Sequence, residues 1–481
     1  MMNPTTRTGR VTHGATRSRS YRGETGPTTR STAGGRRRRL RVSSIAALAG
    51  AGLVLAGCAA PELDGEVHLD YWLWDANQLP AYQQCVQAFE DANPDINVRV
   101  SQYGWDDYWQ KVTAGFVAGA GPDVLTGHLT RYPEYVTREV LLDLNELEAT
   151  SQIEPDEFQE GLSELWVGPD GGWYGIPKDF DTIALFYNQA LLADAGLEPE
   201  DLEGLDWNPD DGGTFEEILA RLSVDANGVR GDEDGFDPGN VVTYGIASNG
   251  SGGFDGQTQW SWLAGATGWE YTNAQVWGDE YNYDDPRFLD SIEWLFSLVD
   301  KGFMPPFEIG GTDPNPVQQF ASGQAAISAN GSWMIRSFAA LDGVEMGIAP
   351  VPSGPVGHPV SMYNGLADNI NAQTEHPEEA ARLVAYLGSD ECQITVGEQA
   401  VIFPARPAGT EAAVEEFAAE GIDVTPFTDL VDNNYTVLFP VTDHGAAITS
   451  LVTPVMDSIY LGTRDVQAMA ELNDQINNMF E

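Results

Sequence analysis

Between residues 67 and 128 the hydrophobic period switches repeatedly between two and about 3.6, and that alternation narrows the fold more than any other feature of the chain. Val67, Leu69, Tyr71 and Leu73 alternate with His68, Asp70, Trp72 and Trp74, the pattern of a strand. Tyr82, Cys85, Val86 and Phe89 then recur at helical spacing until Asn93-Pro94 stops the helix. A second strand is expected over Ile96 to Val100, followed by a helix whose Tyr108, Val112 and Phe116 share one side, and a third strand begins at Asp123. Strands alternating with helices point to an open, largely parallel α/β sheet. Such sheets place their ligand sites beyond the C-terminal ends of the strands. Here those places hold Trp74-Asp75-Ala76-Asn77, then Tyr103-Gly104-Trp105-Asp106-Asp107, then His128-Leu129-Thr130-Arg131. Rings and hydrogen-bonding groups are therefore expected to converge at one sheet edge.

The N-terminal region is of another kind. A basic stretch ending in Arg36-Arg37-Arg38-Arg39-Leu40-Arg41 leads into an apolar run from Ile45 to Ala56, the order of a secretory signal peptide. Twelve residues rise only about 18 Å as a helix, short of the roughly 30 Å hydrocarbon core, so a permanent span is not expected. Leu55-Ala56-Gly57-Cys58 resembles the lipobox of bacterial lipoproteins, which implies cleavage before Cys58, its lipidation, and anchoring to the outer face of the cell membrane. Cys85 and Cys392 are then left, too few for a disulfide-stapled scaffold, and Cys85 is expected as a buried apolar thiol. About 420 remaining residues exceed what one core usually serves, so two lobes are expected.

Charge divides sharply at the same point. Residues 1–57 hold eleven arginines and one acid, Glu24; the remainder carries 13 basic and 72 acidic residues, a net charge of −59. That surface repels phosphates, so nucleic acid is excluded as a partner. Asp201 to Gly213 and Asp225 to Asn240 are rich in Asp, Gly, Asn and Pro and read as surface loops. Against the calcium loop pattern started at Asp225, the fifth position is Val229 and the twelfth Phe236, so no metal is called there. No zinc spacing, phosphate loop or nucleophile elbow occurs, so no cofactor and no catalytic residue are assigned. Phe288, Ile292, Leu295, Phe296 and Val299 mark one amphipathic helix, and Leu383, Val384 and Leu387 another that starts at Pro377 and stops at Gly388.

Six blocks in order resemble the extracellular solute-binding proteins of ABC importers, and among them the maltose-binding-protein-like sugar binders. They are Trp105-Asp106-Asp107-Tyr108-Trp109 through Gly121-Pro122-Asp123-Val124; Tyr174 to Thr182; Leu185-Phe186-Tyr187-Asn188; Phe320 to Ile327; Asn330-Gly331-Ser332-Trp333-Met334; and Tyr363-Asn364-Gly365 with Pro377-Glu378-Glu379-Ala380-Ala381, Gln393 and Pro404-Ala405. The resemblance implies an α/β, two-lobed periplasmic-binding-protein-like fold (type II), each lobe an open mixed or parallel sheet flanked by helices, with the ligand cleft at the hinge. It implies crossings near residues 181–187, 327–333 and 363–369. The expected organisation is a signal peptide (1–57), a lipidated tether (58–66), one lobe from 67–182 plus 330–365, and a second from 183–329 plus 366–481. It places Cys85 and Cys392 in different lobes, where a disulfide would lock the hinge, so free thiols are expected. A monomer is expected that captures a mono- or oligosaccharide and delivers it to ABC permease subunits, and that is not an enzyme. A secreted glycoside hydrolase and a binder of a non-sugar solute such as a polyamine are the alternatives.

A sugar presents a weakly apolar face and a rim of hydroxyls, so a site for it needs flat rings with donors and acceptors around them. Of the thirteen tryptophans, Trp74, Trp105, Trp260, Trp262 and Trp333 lie near the cleft blocks, whereas Trp72, Trp166 and Trp294 sit in periodic segments and read as core. Trp333 resembles the family's stacking position, and Asp181 its acidic sugar ligand. Asp75, Asp106, Lys178 and Asp179 are companions, with His128, Thr130, Arg131 and Asn364 at the next remove. For each of these the plain alternative is structural: lobe core for a ring, a solvated face or a cap for a carboxylate.

Overall fold

The computed structural model describes residues 66–306 and 315–481; the leader, the lipobox cysteine Cys58 and the tether up to residue 65 lie outside the described residues. The expected alternation is present from the first described residues. Strand β1 (Val67–Leu73) pairs in parallel with β2 (Ile96–Gln102) and β3 (Val124–His128), and the intervening helices are Leu79–Ala92 and Trp105–Ala118. The first helix buries Ala81, Tyr82, Cys85, Val86 and Phe89, the stripe predicted from spacing. The second closes on Gly119 in the left-handed region (φ 64°), and Gly115 lets the returning chain touch it: a Cβ there would lie 2.7 Å from Gly121 Cα.

Two sheets carry the described strands. Strand β4 (Ile176–Asp181) belongs to the first, and β5 (Ile183–Asn188), β6 (Val224–Asp225), β7 (Val241–Ile246), β8 (Ala325–Gly331) and β9 (Met346–Ala349) make the second, in the order β6-β7-β8-β5-β9. The first is completed by β10 (Ser361–Ile370), β11 (Phe403–Pro404) and β12 (Thr436–Leu438), in the order β11-β4-β10-β3-β1-β2 with β12 beside β10. Both are mixed: β10 runs antiparallel to β3 and β4, and β7 runs parallel to β8 while β5 is antiparallel to it. Every residue of β4, β5, β8 and β10 is buried; β5 and β8 read accordingly as largely apolar or small-residue runs, whereas β4 and β10 bury Lys178, Asp179, Asp181 and Asp368 as well.

The strands partition differently from the expected ranges. The chain changes sheets at Thr182, as expected, but at 327–333 it stays with the smaller sheet, because β9 pairs with the free side of β5. It returns to the larger sheet only between Ala349 and Ser361. The helices Pro377–Leu387 and Asp390–Gly397 pack with the helix Leu79–Ala92, and the helix Pro407–Ala419 packs on β11, so 366–419 accompanies the larger sheet. The crossing segments are tied to one another: Ser332 N donates to Thr182 O (3.2 Å), and Ile183 N donates to Ser361 Oγ (2.8 Å).

The cysteines are a second correction. Cys85 and Cys392 form a disulfide with Cα atoms 5.2 Å apart, on helices Leu79–Ala92 and Asp390–Gly397 of the same sheet. Both helices serve one sheet, so the bond leaves the sheet-to-sheet connections free. It closes a separation of 307 residues.

Candidate functional site

Strands β1, β2, β3 and β4 all run the same way, so their C-terminal ends reach one edge of the larger sheet, where β10 supplies its N-terminal end. The loops there carry the expected residues. The Trp74 ring centroid lies 5.1 Å from that of Trp105, 5.2 Å from Tyr108 and 5.3 Å from Trp109. Trp105, at the first position of its helix, is 44% exposed, and it is the one aromatic residue among the exposed large hydrophobics of the described residues. Asp106 beside it is exposed in the same first turn, where a carboxylate suits the positive helix end. The Arg131 guanidinium lies 5.9 Å from the Trp109 ring, and its Nε is buried without a partner.

His128 joins the rings to the polar half of the site. Its ring is 5.4 Å from Trp105 and 5.9 Å from Phe439, its Nδ1 accepts from Thr130 N (3.1 Å), and its Nε2 is 3.4 Å from Asn364 Nδ2. Burial, with the nearby Arg131 charge, pushes its pKa down to about 3, so the ring is neutral at ordinary pH. Asn364 stands opposite Asp181 in the β10–β4 register, and its Oδ1 is buried with no hydrogen-bond partner. Asp181 accepts one hydrogen bond, from Ser332 Oγ (2.8 Å), and burial followed by the charge of Asp179 holds its carboxyl well above the usual range. Trp333, next to Ser332, is partly exposed and lies across Gly331, where a Cβ would sit 1.7 Å from the indole. A side chain at 331 would therefore displace the ring.

The remaining expected residues divide. Asp75 accepts from Asn77 N (2.7 Å), capping its own loop, and burial raises its pKa. Asp179 accepts from Leu366 N (3.1 Å) and from Gln78 Nε2 (3.2 Å) and is pushed up to about 7 by burial. It braces the edge from within. Lys178 is sealed beneath the sheet: its ammonium donates to Tyr71 Oη (2.6 Å), is 3.6 Å from Asp368, and lies over the Tyr82 ring. Its side chain has no exposure, and burial pulls its pKa down to about 8 against the attraction of Asp368. Among the described residues the Lys178 ammonium is thus engaged by Tyr71, Asp368 and the Tyr82 ring.

Trp260 and Trp262 are core residues and form no wall of this edge. They are 0% and 1% exposed; Trp260 packs against Trp269, Tyr271 and Phe288, and Trp262 against Phe215. Gly252 and Gly256, both at positive φ, leave the space the Trp260 indole fills. Trp166 and Trp294 are buried as expected, and Trp72 is half-buried against Tyr103. Sequence reasoning passed over Ser332, Gln78, Asp368 and Phe439. Ser332 sits inside a quoted block, and Asp368 is a lone acid in a ten-residue buried strand; Phe439 carries no local signal, since it meets His128 from 311 positions downstream. Among the described residues no group of three or more His, Cys, Asp or Glu is arranged to hold a metal, and the Asp225 carboxylate accepts from Val229 N, Asn227 N and Asp237 N of its own loop. No described helix is long and apolar enough to cross a membrane.

The sequence profile of the bacterial extracellular solute-binding proteins matches residues 84–420. The galactooligosaccharide-binding protein of Bacillus subtilis is 23% identical over 336 residues, 69% of this chain and 71% of the relative. The crystal structure of Mycobacterium tuberculosis UspC superposes with a TM-score of 0.68 at 25% identity, covering 86% of this chain and all of the other. An ABC substrate-binding protein of Listeria monocytogenes, Lmo0181, solved with cycloalternan, gives 0.70 at 19% identity over 86% of this chain and 99% of its own. The α/β, two-lobed architecture expected from the sequence is the fold these structures share with the chain.

Proposed function

Because the chain belongs to the bacterial extracellular solute-binding proteins, we propose that it captures a mono- or oligosaccharide at the strand edge and delivers it to ABC permease subunits. The observation that carries this reading is one chain of neighbouring side chains at the strand edge. It joins the Trp74 and Trp105 rings through His128 to Asn364, whose buried Oδ1 has no partner, and then to Asp181 and Trp333. Flat rings take the C–H faces of a sugar, and carbonyl, carboxylate and guanidinium groups take its hydroxyls. The galactooligosaccharide and cycloalternan in the relatives' names support the same ligand class.

The lobes we assign follow the sheets: residues 66–181 and 361–438 with the larger, residues 183–349 and the C-terminal helices with the smaller. Helix Gly445–Tyr460 supports this, since Tyr460 stacks on Phe296 and Asp457 accepts from Ser251. Asp181 ends β4 one residue before the crossing and accepts from Ser332, which follows β8 of the other sheet. A sugar held there by both sides favours closure by its difference in affinity for the two states. Cys58 is the proposed lipid anchor and residues 1–57 the proposed signal peptide; with Cys58→Ser, the protein should move from the membrane fraction to the soluble one.

A panel of mono- and oligosaccharides in a thermal-shift assay tests the ligand class. At 100 times its dissociation constant, a ligand adds about 2.7 kcal/mol of stability. At least one oligosaccharide should raise the midpoint in proportion to the logarithm of its concentration; a flat response to the whole panel, with a shift from another solute, overturns the reading.

A further inference from the structure

A cavity of about 640 Å³ lies against the sheet connections and shares no residue with the aromatic and polar edge cluster. Its walls are the β5–β9 pair, the helix Thr425–Asp432, and the connecting residues Pro359 and Tyr435. The volume falls in the range of small-molecule sites. Thr182 Oγ donates to Phe427 O within that helix, and Ser361 N donates to Tyr435 O, so the cavity wall is bonded directly to the crossings.

The chemistry of the lining is one-sided. Glu203, Asp423 and Asp429 stand exposed at its rim, no Lys or Arg lines it, and none of the three acids makes an ion pair among the described residues. Tyr187 lines the interior. It is 7% exposed, and its ring lies against Gly347, its partner in the β5–β9 register. Tyr435, half-buried, adds a second ring, and Ile348 and Met346 supply apolar floor. Carboxylates without an ion-pair partner, one of which (Asp423) also accepts from Thr425 N and Oγ, stand around aromatic and aliphatic surface and suit a cation that has hydrophobic surface to bury. A bare divalent ion is a poor fit, since it needs several oxygen ligands within about 2.6 Å and no described acid cluster is arranged to hold one.

We propose that this cavity is a second small-molecule site that takes an organic ammonium ion with an apolar body. Exposed acids screened by water contribute modestly one at a time, so the body and the charge must both be present for binding.

Titration of 3-phenylpropylammonium into the full chain, followed by calorimetry and ligand-observed NMR, tests it. The expected result is saturable binding of one amine. It should weaken about tenfold or more in Asp423→Asn/Asp429→Asn, weaken to a lesser degree in Tyr187→Phe, and stay unchanged in Trp333→Ala. The neutral analogue 3-phenylpropanol should bind about tenfold more weakly. Both carboxylate positions are exposed, so circular dichroism should report an intact fold in the double variant. No saturable binding, equal binding of the alcohol, indifference to the double variant, or loss in Trp333→Ala would each overturn the proposal. So would stoichiometric displacement of the amine by calcium chloride.

Discussion

Two aromatic clusters of similar composition occupy this molecule, and they have opposite relations to water. Around Trp74, Trp105, Trp109 and His128 the rings meet at the C-terminal ends of parallel strands, with Trp105 44% exposed. Around Trp260, Trp269, Tyr271 and Phe288 every ring is buried to 4% exposure or less. Tryptophan content therefore says little about where a ligand sits. Position relative to the sheet says a good deal, because strand ends are where backbone polar groups are released and loops can present side chains outward. The first cluster has polar neighbours with unused hydrogen-bonding capacity, Asn364 Oδ1 and Arg131 Nε.

Truncation should separate the two clusters most strongly. Trp260→Ala removes a fully buried indole and should cost about 3–5 kcal/mol of folding stability. Trp105→Ala, at an exposed ring, should cost less than about 1 kcal/mol of stability while weakening oligosaccharide binding by roughly 1–3 kcal/mol. Chemical denaturation and calorimetry on both variants measure the contrast, and a stability loss at Trp105 equal to that at Trp260 would abolish it.

The disulfide gives the next effect in size. It joins two helices that flank the sheet bearing the exposed cluster. Cys85→Ser/Cys392→Ser should lower stability by about 2–4 kcal/mol, with sugar affinity nearly unchanged because the bond joins two helices and not the loops that carry the edge residues. Denaturation curves of the two proteins under oxidising conditions check the first part. A large affinity loss would mean that the bond positions the site.

The remaining effect concerns pH. Burial holds Asp179 up at about 7, so its neutral form is favoured in the folded state. Its contribution to stability is full below the unfolded value near 4 and is lost as pH rises through about 7. Relative to Asp179→Asn, the wild-type chain should become less stable between pH 4 and pH 7; parallel stability profiles would contradict this. The acids with lowered pKa, such as Asp170 and Glu157, slope the other way but are common to both proteins and cancel.

Local periodicity made the first half of the larger sheet legible. Strand, helix and turn signals from Val67 to His128 all agree, and each strand pairs with one nearby in sequence. The later topology was harder to read. Strand β9 is four residues long and pairs with β5 some 160 positions earlier, and no local pattern carries such a pairing. The same reason hid the disulfide, whose cysteines are 307 residues apart. In the candidate site, Trp74, Trp105 and His128 come together at the strand ends, where the strand-end rule looks, and Asp181 lies at the crossing. Lys178, close to the same crossing, has a side chain with no exposure, which position along a strand does not reveal. Trp260 and Trp262 read as cleft tryptophans, yet the helix Ser261–Ala266 turns every one of its residues into the core and Trp260, just before it, is 0% exposed.

The central proposal is that the exposed edge, with Asp181 at its end and Trp333 across the crossing from it, is a carbohydrate site. Calorimetric titration of the oligosaccharide that stabilises the protein best, into wild type and Trp333→Ala in parallel, tests it most directly. The account predicts one-to-one binding by the wild type and a loss of roughly 1–3 kcal/mol in the variant. Identical affinities in the two proteins would contradict it.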